Sequence, residues 1–337
     1  MRIVALEEHF SLPLVQGRAR LSVPGHASVA DNEAMPLVVR RIAEKIKDLG
    51  AVRLGDMDRA GITVQVVSKA GNHMGPSADM FDGAEAVAFA RDFNDTAHRE
   101  IAQYPDRFAA FAHLPMNVPE AAADELERTV REFGFKGALI SGTIKGAFLD
   151  DRRFAPVLRR AEQLDVPIYV HPGMPCEAVR KAYYEGFSPQ INFGLATFGW
   201  GWHYETAVHI MRLAVSATLD QYPRLKLIIG HMGEGLPTML ARCEQSFGSD
   251  LSHLRRGLSQ TIVDQVYITT AGFFTIPPFM AALSTFGIDR LMFSVDYPYS
   301  SNDDGRALLE RLPLAPADLA KVAHGNADRL LKLSPGI

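Results

Sequence analysis

Two residue types that bind metal ions stand two positions apart near the start of the chain. Glu7 and His9 lie in the run Leu6-Glu7-Glu8-His9, which follows a short apolar stretch. Because side chains alternate along a strand, Glu7 and His9 would project from one face while Glu8 points the other way. A carboxylate and an imidazole held together in this way could bind a divalent ion at the mouth of a barrel.

Three further segments place a possible ligand directly after an apolar or β-branched run. These residues are His171, His231 and Asp296. In a parallel barrel the carboxyl ends of all strands meet at one face, so these three would converge with Glu7 and His9. Carboxylates and imidazoles without thiolate suit zinc, manganese or magnesium, and the sequence does not choose among them.

The elements that must position these residues are short apolar runs separated by amphipathic segments. The runs predict eight strands, at Arg2–Leu6, Thr63–Ser68, Phe108–Leu114, Gly137–Ser141, Val166–Val170, Leu225–Ile229, Val266–Thr270 and Arg290–Ser294. The amphipathic segments predict helices that include Gly83–Tyr104, Pro119–Phe133, Asp151–Leu164, Tyr204–Gln221 and Leu236–Phe247. This alternation indicates an α/β fold.

Within that class we expect a (β/α)8 TIM barrel, formed by residues 1–337 as a single domain. A doubly wound sheet is the alternative, but no Gly-x-Gly-x-x-Gly follows the first strand. Two stretches rich in proline and glycine, 11–48 and 172–201, predict inserted loops at the C-terminal face of the strands. Both follow strands that carry possible ligands, so both could shape a substrate pocket or a subunit contact.

Composition excludes several classes of function. The chain carries a formal net charge of −4 and 47% hydrophobic residues, which fits a packed globule and gives no basic surface for nucleic acid. It has neither an apolar run long enough to span a membrane nor an N-terminal secretion signal, so we expect a cytoplasmic protein. Cys176 and Cys243 are far apart in sequence, and we expect two reduced thiols.

Several motifs along the whole chain resemble the amidohydrolase superfamily, and specifically its decarboxylase branch, which includes γ-resorcylate and 5-carboxyvanillate decarboxylases. The motifs that carry the resemblance are Ala5-Leu6-Glu7-Glu8-His9-Phe10, Asp56-Met57-Asp58-Arg59-Ala60-Gly61-Ile62, Val170-His171-Pro172, Gly230-His231-Met232-Gly233-Glu234-Gly235-Leu236-Pro237, Phe293-Ser294-Val295-Asp296-Tyr297-Pro298 and Gly325-Asn326-Ala327.

The resemblance implies a ligand set of Glu7, His9, His171 and Asp296 for one divalent metal ion, with His231 contacting substrate. Binuclear relatives have a bridging lysine after the fourth strand, where this chain has Ser141-Gly142-Thr143. The missing lysine favours a single ion, which would be Zn²⁺, Mn²⁺ or Mg²⁺. The resemblance further implies no organic cofactor and a homodimer or homotetramer.

The implied reaction is the nonoxidative, reversible decarboxylation of an aromatic carboxylate with an ortho hydroxyl. We expect Asp296 to act as general acid, with His231 orienting the substrate and Glu234 as its hydrogen-bond partner. Glu234 could instead cap the following helix. Arg242 is a candidate contact for the substrate carboxylate.

Aromatic residues near the proposed mouth are candidate pocket walls. They are Phe10, Tyr297, Trp200, Trp202 and Tyr299. Of the remaining histidines, His113 is expected to be structural, His73 could border the pocket, and His203 receives no role.

Two other functions are compatible with the same residues. One is a metal-dependent hydrolase of a lactone, amide or ester, with Asp296 as base. Glu7 in place of the histidine usual in hydrolytic relatives argues against it. The other is a noncatalytic ligand-binding barrel, which the complete set of expected rim residues disfavours.

Overall fold

Eight parallel strands form the centre of the molecule. The computed structural model describes residues 1–12, 42, 44–71 and 78–333. In these ranges the strands are β1 Val4–Phe10, β2 Val64–Lys69, β3 Phe108–Ala110, β4 Ala138–Ser141, β5 Ile168–His171, β6 Leu227–Ile229, β7 Val266–Thr269 and β8 Leu291–Met292. Each lies within or close to one of the eight runs expected from the sequence.

The strands pair in chain order. Regular pairing gives two parallel sheets. One consists of β1, β2 and β3 in that order, and the other of the five strands from β4 through β8. Between them, the Ala112 amide donates to Gly137 O at 2.8 Å and the Leu139 amide donates to Ala112 O at 3.2 Å. At the other seam the His9 amide donates to Tyr297 O at 2.7 Å. The fold is the expected (β/α)8 barrel.

One buried cluster fills the barrel interior. It takes at least one side chain from every strand: Val4, Leu6, Val64, Val66, Ala109, Phe111, Leu139, Tyr169, Ile228, Tyr267 and Met292. Leu330 and Leu331, from the last helix, belong to the same cluster and close its base. The next residues along each strand face the helices, as the two-residue period of a strand requires.

Helices follow the strands as expected. The described helices are Ala51–Ala60, Gly83–Ile101, Pro119–Phe133, Ala155–Leu164, Glu177–Val179, Pro189–Ala196, Gly201–Val215, Thr218–Gln221, Leu236–Phe247, Leu258–Gln265, Ile276–Phe286, Asn302–Arg311, Pro316–Ala320 and Asn326–Leu331. None of the helices in the described ranges is long and apolar enough to cross a membrane.

Three expectations from the sequence need correction. Strand β1 is longer than predicted, so Glu7 and His9 lie inside it rather than after it. The predicted helix 204–221 begins earlier, at Gly201, and is interrupted at Ala217, whose φ is 61°. The inserted stretch 172–201 contains the helix Pro189–Ala196. Most of the predicted first loop, together with His73, lies outside the described residues.

The direction of Glu7 and His9 depends on an irregularity in β1. Strict alternation from Val4 and Leu6, which face the interior, would turn Glu7 and His9 outward. The register of β1 against β2 shifts between Ala5 and Glu8, which is a β-bulge. A bulge at a barrel rim changes the face to which the following side chains point. Glu7 consequently reaches Tyr169 in the interior cluster.

Candidate metal centre

Four residues from three parts of the barrel converge at its mouth. Glu7, His9, His171 and Asp296 each offer one ligand atom, and these atoms lie within 4.8 Å of one another. His171 Nε2 is 3.1 Å from Glu7 Oε1, and His9 Nε2 is 3.2 Å from Asp296 Oδ1. This set is the one that the resemblance implied.

The protein leaves two of these atoms without hydrogen-bond partners. Glu7 Oε1 and His9 Nε2 are buried and accept no hydrogen bond within the described residues. Buried polar atoms are ordinarily hydrogen-bonded, and a cation between them would satisfy both. Two carboxylates and two imidazoles suit a divalent ion, and the two carboxylates balance its charge.

The Nδ1 atoms of His171 and His9 each face another group of the protein, which leaves the Nε2 atoms available to a metal ion. His171 Nδ1 lies 2.7 Å from Pro172 O, so it carries the hydrogen and Nε2 keeps its lone pair. His9 Nδ1 lies 3.3 Å from Ser68 Oγ. Burial lowers the pKa of His9, which favours the neutral ring that a metal needs.

The second carboxylate oxygen of Glu7, Oε2, is held by a hydrogen bond. The Tyr169 hydroxyl donates to Glu7 Oε2 and lies 2.8 Å from Thr269 Oγ1. Burial raises the pKa of Tyr169 well above its ordinary value, and the nearby Glu7 carboxylate raises it further. Tyr169 therefore stays a neutral donor that orients the carboxylate.

Asp296 stands after β8 with a φ of 70°, in the left-handed region. Burial raises its pKa, but the adjacent His231 and His9 imidazoles outweigh burial and hold the pKa below its ordinary value. Asp296 is thus an anion within the candidate ligand set. A carboxylate that acts as general acid must carry a proton, so one would have to reach Asp296 from a neighbouring group.

His231 lies next to Asp296. Its Nε2 lies 3.8 Å from Asp296 Oδ2, and its Nδ1 lies 2.8 Å from Glu234 Oε1. Burial lowers the pKa of His231, but the charges of Glu234 and Glu7 raise it well above its ordinary value. Burial raises the pKa of Glu234, which the two adjacent imidazoles nevertheless lower to about 2.

A second imidazole meets the same carboxylate. His203 Nδ1 lies 2.6 Å from Glu234 Oε2. His203, His231 and Glu234 also have the composition of a metal site. Their facing atoms, however, are already hydrogen-bonded to one another, so we interpret them as a hydrogen-bond network.

Glu8 joins β1 to the segment after β8. Its carboxylate accepts from the amides of Val295 at 2.9 Å and Tyr297 at 3.1 Å, which flank Asp296. Burial raises the pKa of Glu8 to about 7. Beside it the buried guanidinium of Arg53 donates to His9 O at 2.5 Å and lies over the Tyr297 ring. Burial lowers the pKa of Arg53 to about 10.

A cavity of about 250 Å³ opens beside the ligand cluster. His171, His203, His231 and Asp296 contribute its polar lining. The rest is mainly aromatic, from Phe193, Phe198, Trp202, Phe273 and Tyr299, with Ile42, Gly272 and Ser300. This volume lies below the usual range for drug-sized ligands, about 300–1,000 Å³, and suits one substituted ring.

Not all the expected substrate contacts reach this cavity. Trp202 and Tyr299 line it as expected, but Phe10 packs on Phe93 in the core. Tyr297 is buried against Arg53, and its hydroxyl donates to Asp56 at 2.8 Å. Both side chains lie outside the cavity lining, although each is adjacent in sequence to a proposed ligand. Arg242 is exposed on its helix and is not part of the cavity lining.

Sequence reasoning missed several side chains of the cavity wall, among them His203, Phe193, Phe198 and Phe273. His203 belongs to a helix, not to a strand end, and no spacing rule connects it to Glu234. The only available signal was the cluster Trp200-Gly201-Trp202-His203, which combines aromatic rings and an imidazole before an amphipathic helix.

Comparison with known proteins gives consistent matches. The family model described as amidohydrolase matches residues 20–333. A protein named decarboxylase orsB, from Emericella nidulans, is 36% identical over 351 residues, covering 98% of this chain and 97% of its own.

Two solved structures are also similar. A 2,6-dihydroxybenzoate decarboxylase complexed with 2,6-dihydroxybenzoate has a TM-score of 0.84 and 33% identity, covering 99% of this chain and 100% of its own. A dihydroxybenzoic acid decarboxylase from Polaromonas sp. JS666, with bound manganese and 2-nitroresorcinol, has a TM-score of 0.85 and 31% identity, covering 99% and 98%.

Proposed function

The chain belongs to the amidohydrolase family, in its decarboxylase branch, and we propose that it is a metal-dependent carboxy-lyase for an aromatic carboxylate with an ortho hydroxyl. It would release CO₂ and a phenol without a redox cofactor, and the reaction would be reversible.

The observation that carries this proposal is the position of the ligand cluster against the aromatic cavity. Glu7 Oε1 and His9 Nε2 have no hydrogen-bond partner among the residues that the structure describes, and they lie beside a space that holds one ring. Neighbouring carboxylate and phenolate oxygens form a bidentate chelating group for a divalent cation. When bound, the ion would supply positive charge for these oxygens and fix the reacting carbon in the cavity.

Decarboxylation breaks one carbon–carbon bond and forms one carbon–hydrogen bond. The electron pair of the C–CO₂⁻ bond returns to the ring, CO₂ leaves, and a proton is delivered to the same carbon. No electron acceptor is needed. The protein must therefore supply a proton on a cavity wall and exclude competing water.

Asp296 and His231 both line the cavity and can supply that proton. We assign delivery to Asp296, because it belongs to the candidate metal cluster and also lines the space for the ring. We assign the reprotonation of Asp296 to His231, whose Nε2 is 3.8 Å from Asp296 Oδ2, a contact that must shorten to a hydrogen bond when substrate binds. The aromatic walls would hold the ring and keep bulk water out.

The first experiment is a substrate panel with protein loaded with Mn²⁺, Zn²⁺ or Mg²⁺. The panel contains salicylate, 2,3- and 2,6-dihydroxybenzoate, orsellinate and 5-carboxyvanillate. We expect a product lighter by about 44 mass units in H₂O, and one about one unit heavier than that in D₂O, with deuterium at the vacated carbon. A product heavier by about 18 mass units would identify a hydrolase instead.

Two variants distinguish a role in proton supply from a role in metal binding. His231→Asn leaves all four proposed ligands in place, so it should keep its metal and lose about 10²-fold or more in kcat. Asp296→Asn should lose activity and also bind the ion more weakly. Wild-type turnover by His231→Asn, or full activity of Asp296→Asn, would remove the corresponding role.

A further inference from the structure

His203 lines the cavity next to His231, on the helix Gly201–Val215. Its ring meets His231 edge to face, with centroids 4.6 Å apart, and meets Phe273 at 5.5 Å. It is buried, and its Nδ1 lies 2.6 Å from Glu234 Oε2. No motif of the sequence assigns it a role.

The neighbours of Nε2 determine where the hydrogens of His203 lie. The Trp202 indole N–H, which can only donate, points at His203 Nε2 from 3.3 Å. A neutral ring that accepts this hydrogen bond carries its own hydrogen on Nδ1. In the cationic ring, Nε2–H would instead donate to Phe198 O at 3.1 Å. In both states Nδ1–H donates to Glu234.

Glu234 therefore has a different imidazole on each oxygen. Oε1 meets His231 and Oε2 meets His203, and the carboxylate is buried. The backbone around it is unusual, since His231, Met232 and Glu234 all have positive φ values, between 49° and 56°. With the backbone in this conformation, the two hydrogen bonds define the direction in which the carboxylate points.

We propose that His203 is a positioning residue for the decarboxylation, which it serves by holding Glu234 so that Glu234 can orient His231. This rests on the function proposed above. Without His203, Glu234 Oε2 loses a charge-assisted hydrogen bond and rotates toward another donor. His231 Nδ1 then loses its fixed partner, and Nε2 no longer points steadily at Asp296.

The test compares His203→Ala and His203→Phe with His203→Asn. The asparagine amide nitrogen takes nearly the place of imidazole Nδ1 and can donate to Glu234, whereas alanine and phenylalanine cannot. We expect kcat to fall about 10-fold or more in the two donor-less variants, with KM little changed. His203→Asn should recover most of kcat. Phenylalanine keeps the bulk of the ring if alanine impairs folding.

Two readouts do not depend on catalysis. Metal content should equal that of wild type in all three variants, because His203 is not a ligand. In Mg²⁺-loaded protein, the low-field proton resonance of His231 Nδ1–H should shift and broaden in the donor-less variants and return in His203→Asn. This measurement tests the positioning even if no compound of the panel is turned over.

Two outcomes would overturn the proposal. Wild-type kcat and an unchanged His231 resonance in His203→Phe would mean that Glu234 needs no second donor. If His203→Asn were as impaired as His203→Ala, the ring would matter for packing and not for its hydrogen bond.

Discussion

At Gly230 the backbone passes close to the carboxylate of Glu7, one of the proposed metal ligands. A Cβ built on Gly230 would lie 2.3 Å from Glu7 Oε2. The φ of Gly230 is −85°, a value open to any residue, so the requirement for glycine comes from this contact and not from backbone conformation. The carboxylate would have to move, and Tyr169 would lose its acceptor.

We therefore predict that Gly230→Ala displaces Glu7 and weakens metal binding about 10-fold or more. The matched control is Gly55→Ala, where a Cβ meets nothing within 4 Å and the backbone is helical. That change should leave metal binding intact and stabilise the fold by about 0.4–1 kcal/mol. Titration of both variants with Mn²⁺ measures their affinities for the ion, and equal affinities would contradict the prediction.

The residues that sequence reasoning found share one property. Glu7, His9, His171 and Asp296 all lie in or after strands near the mouth of the barrel, so barrel topology, together with the bulge in β1, brings them together. His203 and Arg53 act through contacts between elements, and such contacts leave no spacing in the sequence. Phe10 and Tyr297 were placed wrongly because proximity to a ligand in sequence says nothing about which face a side chain takes.

At the scale of elements, the strand-and-helix alternation was predictable and its irregularities were not. Helices Pro119–Phe133 and Leu236–Phe247 were predicted with the bounds that the structure has. The bulge in β1 has no residue signature in Ala5-Leu6-Glu7-Glu8, although it sets the direction of two ligands. The break at Ala217 likewise has no signature in the residue itself, since alanine favours helix.

The helix Gly201–Val215, which carries His203, is tied to the segment after β4 by a titratable group. His209 Nε2 accepts from the Leu149 amide at 2.9 Å, and the ring is buried against Phe148. Burial lowers the pKa of His209 from 6.5 to about 4; Asp150 opposes this shift, and Arg212 adds to it. The unfolded chain therefore binds this proton more readily than the folded protein.

It follows that the folded state loses stability as the pH falls from 6.5 to about 4, by roughly 3 kcal/mol from this group. Glutamine at position 209 can accept from Leu149 through its side-chain oxygen but does not titrate. The free energy of unfolding in urea should thus fall less steeply with acid in His209→Gln than in wild type. Parallel pH curves for the two proteins would exclude His209 as the cause.

For the whole molecule, the homodimer or homotetramer expected from the resemblance stays a prediction. Large apolar side chains are exposed on neighbouring segments of the chain, including Tyr183, Phe187, Ile191 and Trp200, each more than half exposed. Exposed apolar groups on this scale are typical of interaction surfaces. Light scattering of the purified protein measures the mass of the particle in solution.

The proposed ion would also connect the two ends of the chain. Its ligands on β1 and after β8 lie on either side of the seam at which the barrel closes, where the His9 amide donates to Tyr297 O. An ion that binds only the folded state stabilises it by about 2.7 kcal/mol at a hundred times its Kd. Removing it should loosen this seam before the rest of the barrel.

Chelation should therefore lower the Tm of the metal-loaded protein by a few degrees, and added Mn²⁺ should restore it. Amide hydrogen exchange of Glu7 and His9 should accelerate on chelation, while that of Val66 in β2 should change little. In His171→Ala the chelator should have almost no effect, because one ligand is already missing. An equal Tm shift in that variant would mean that the stabilising ion binds elsewhere on the molecule.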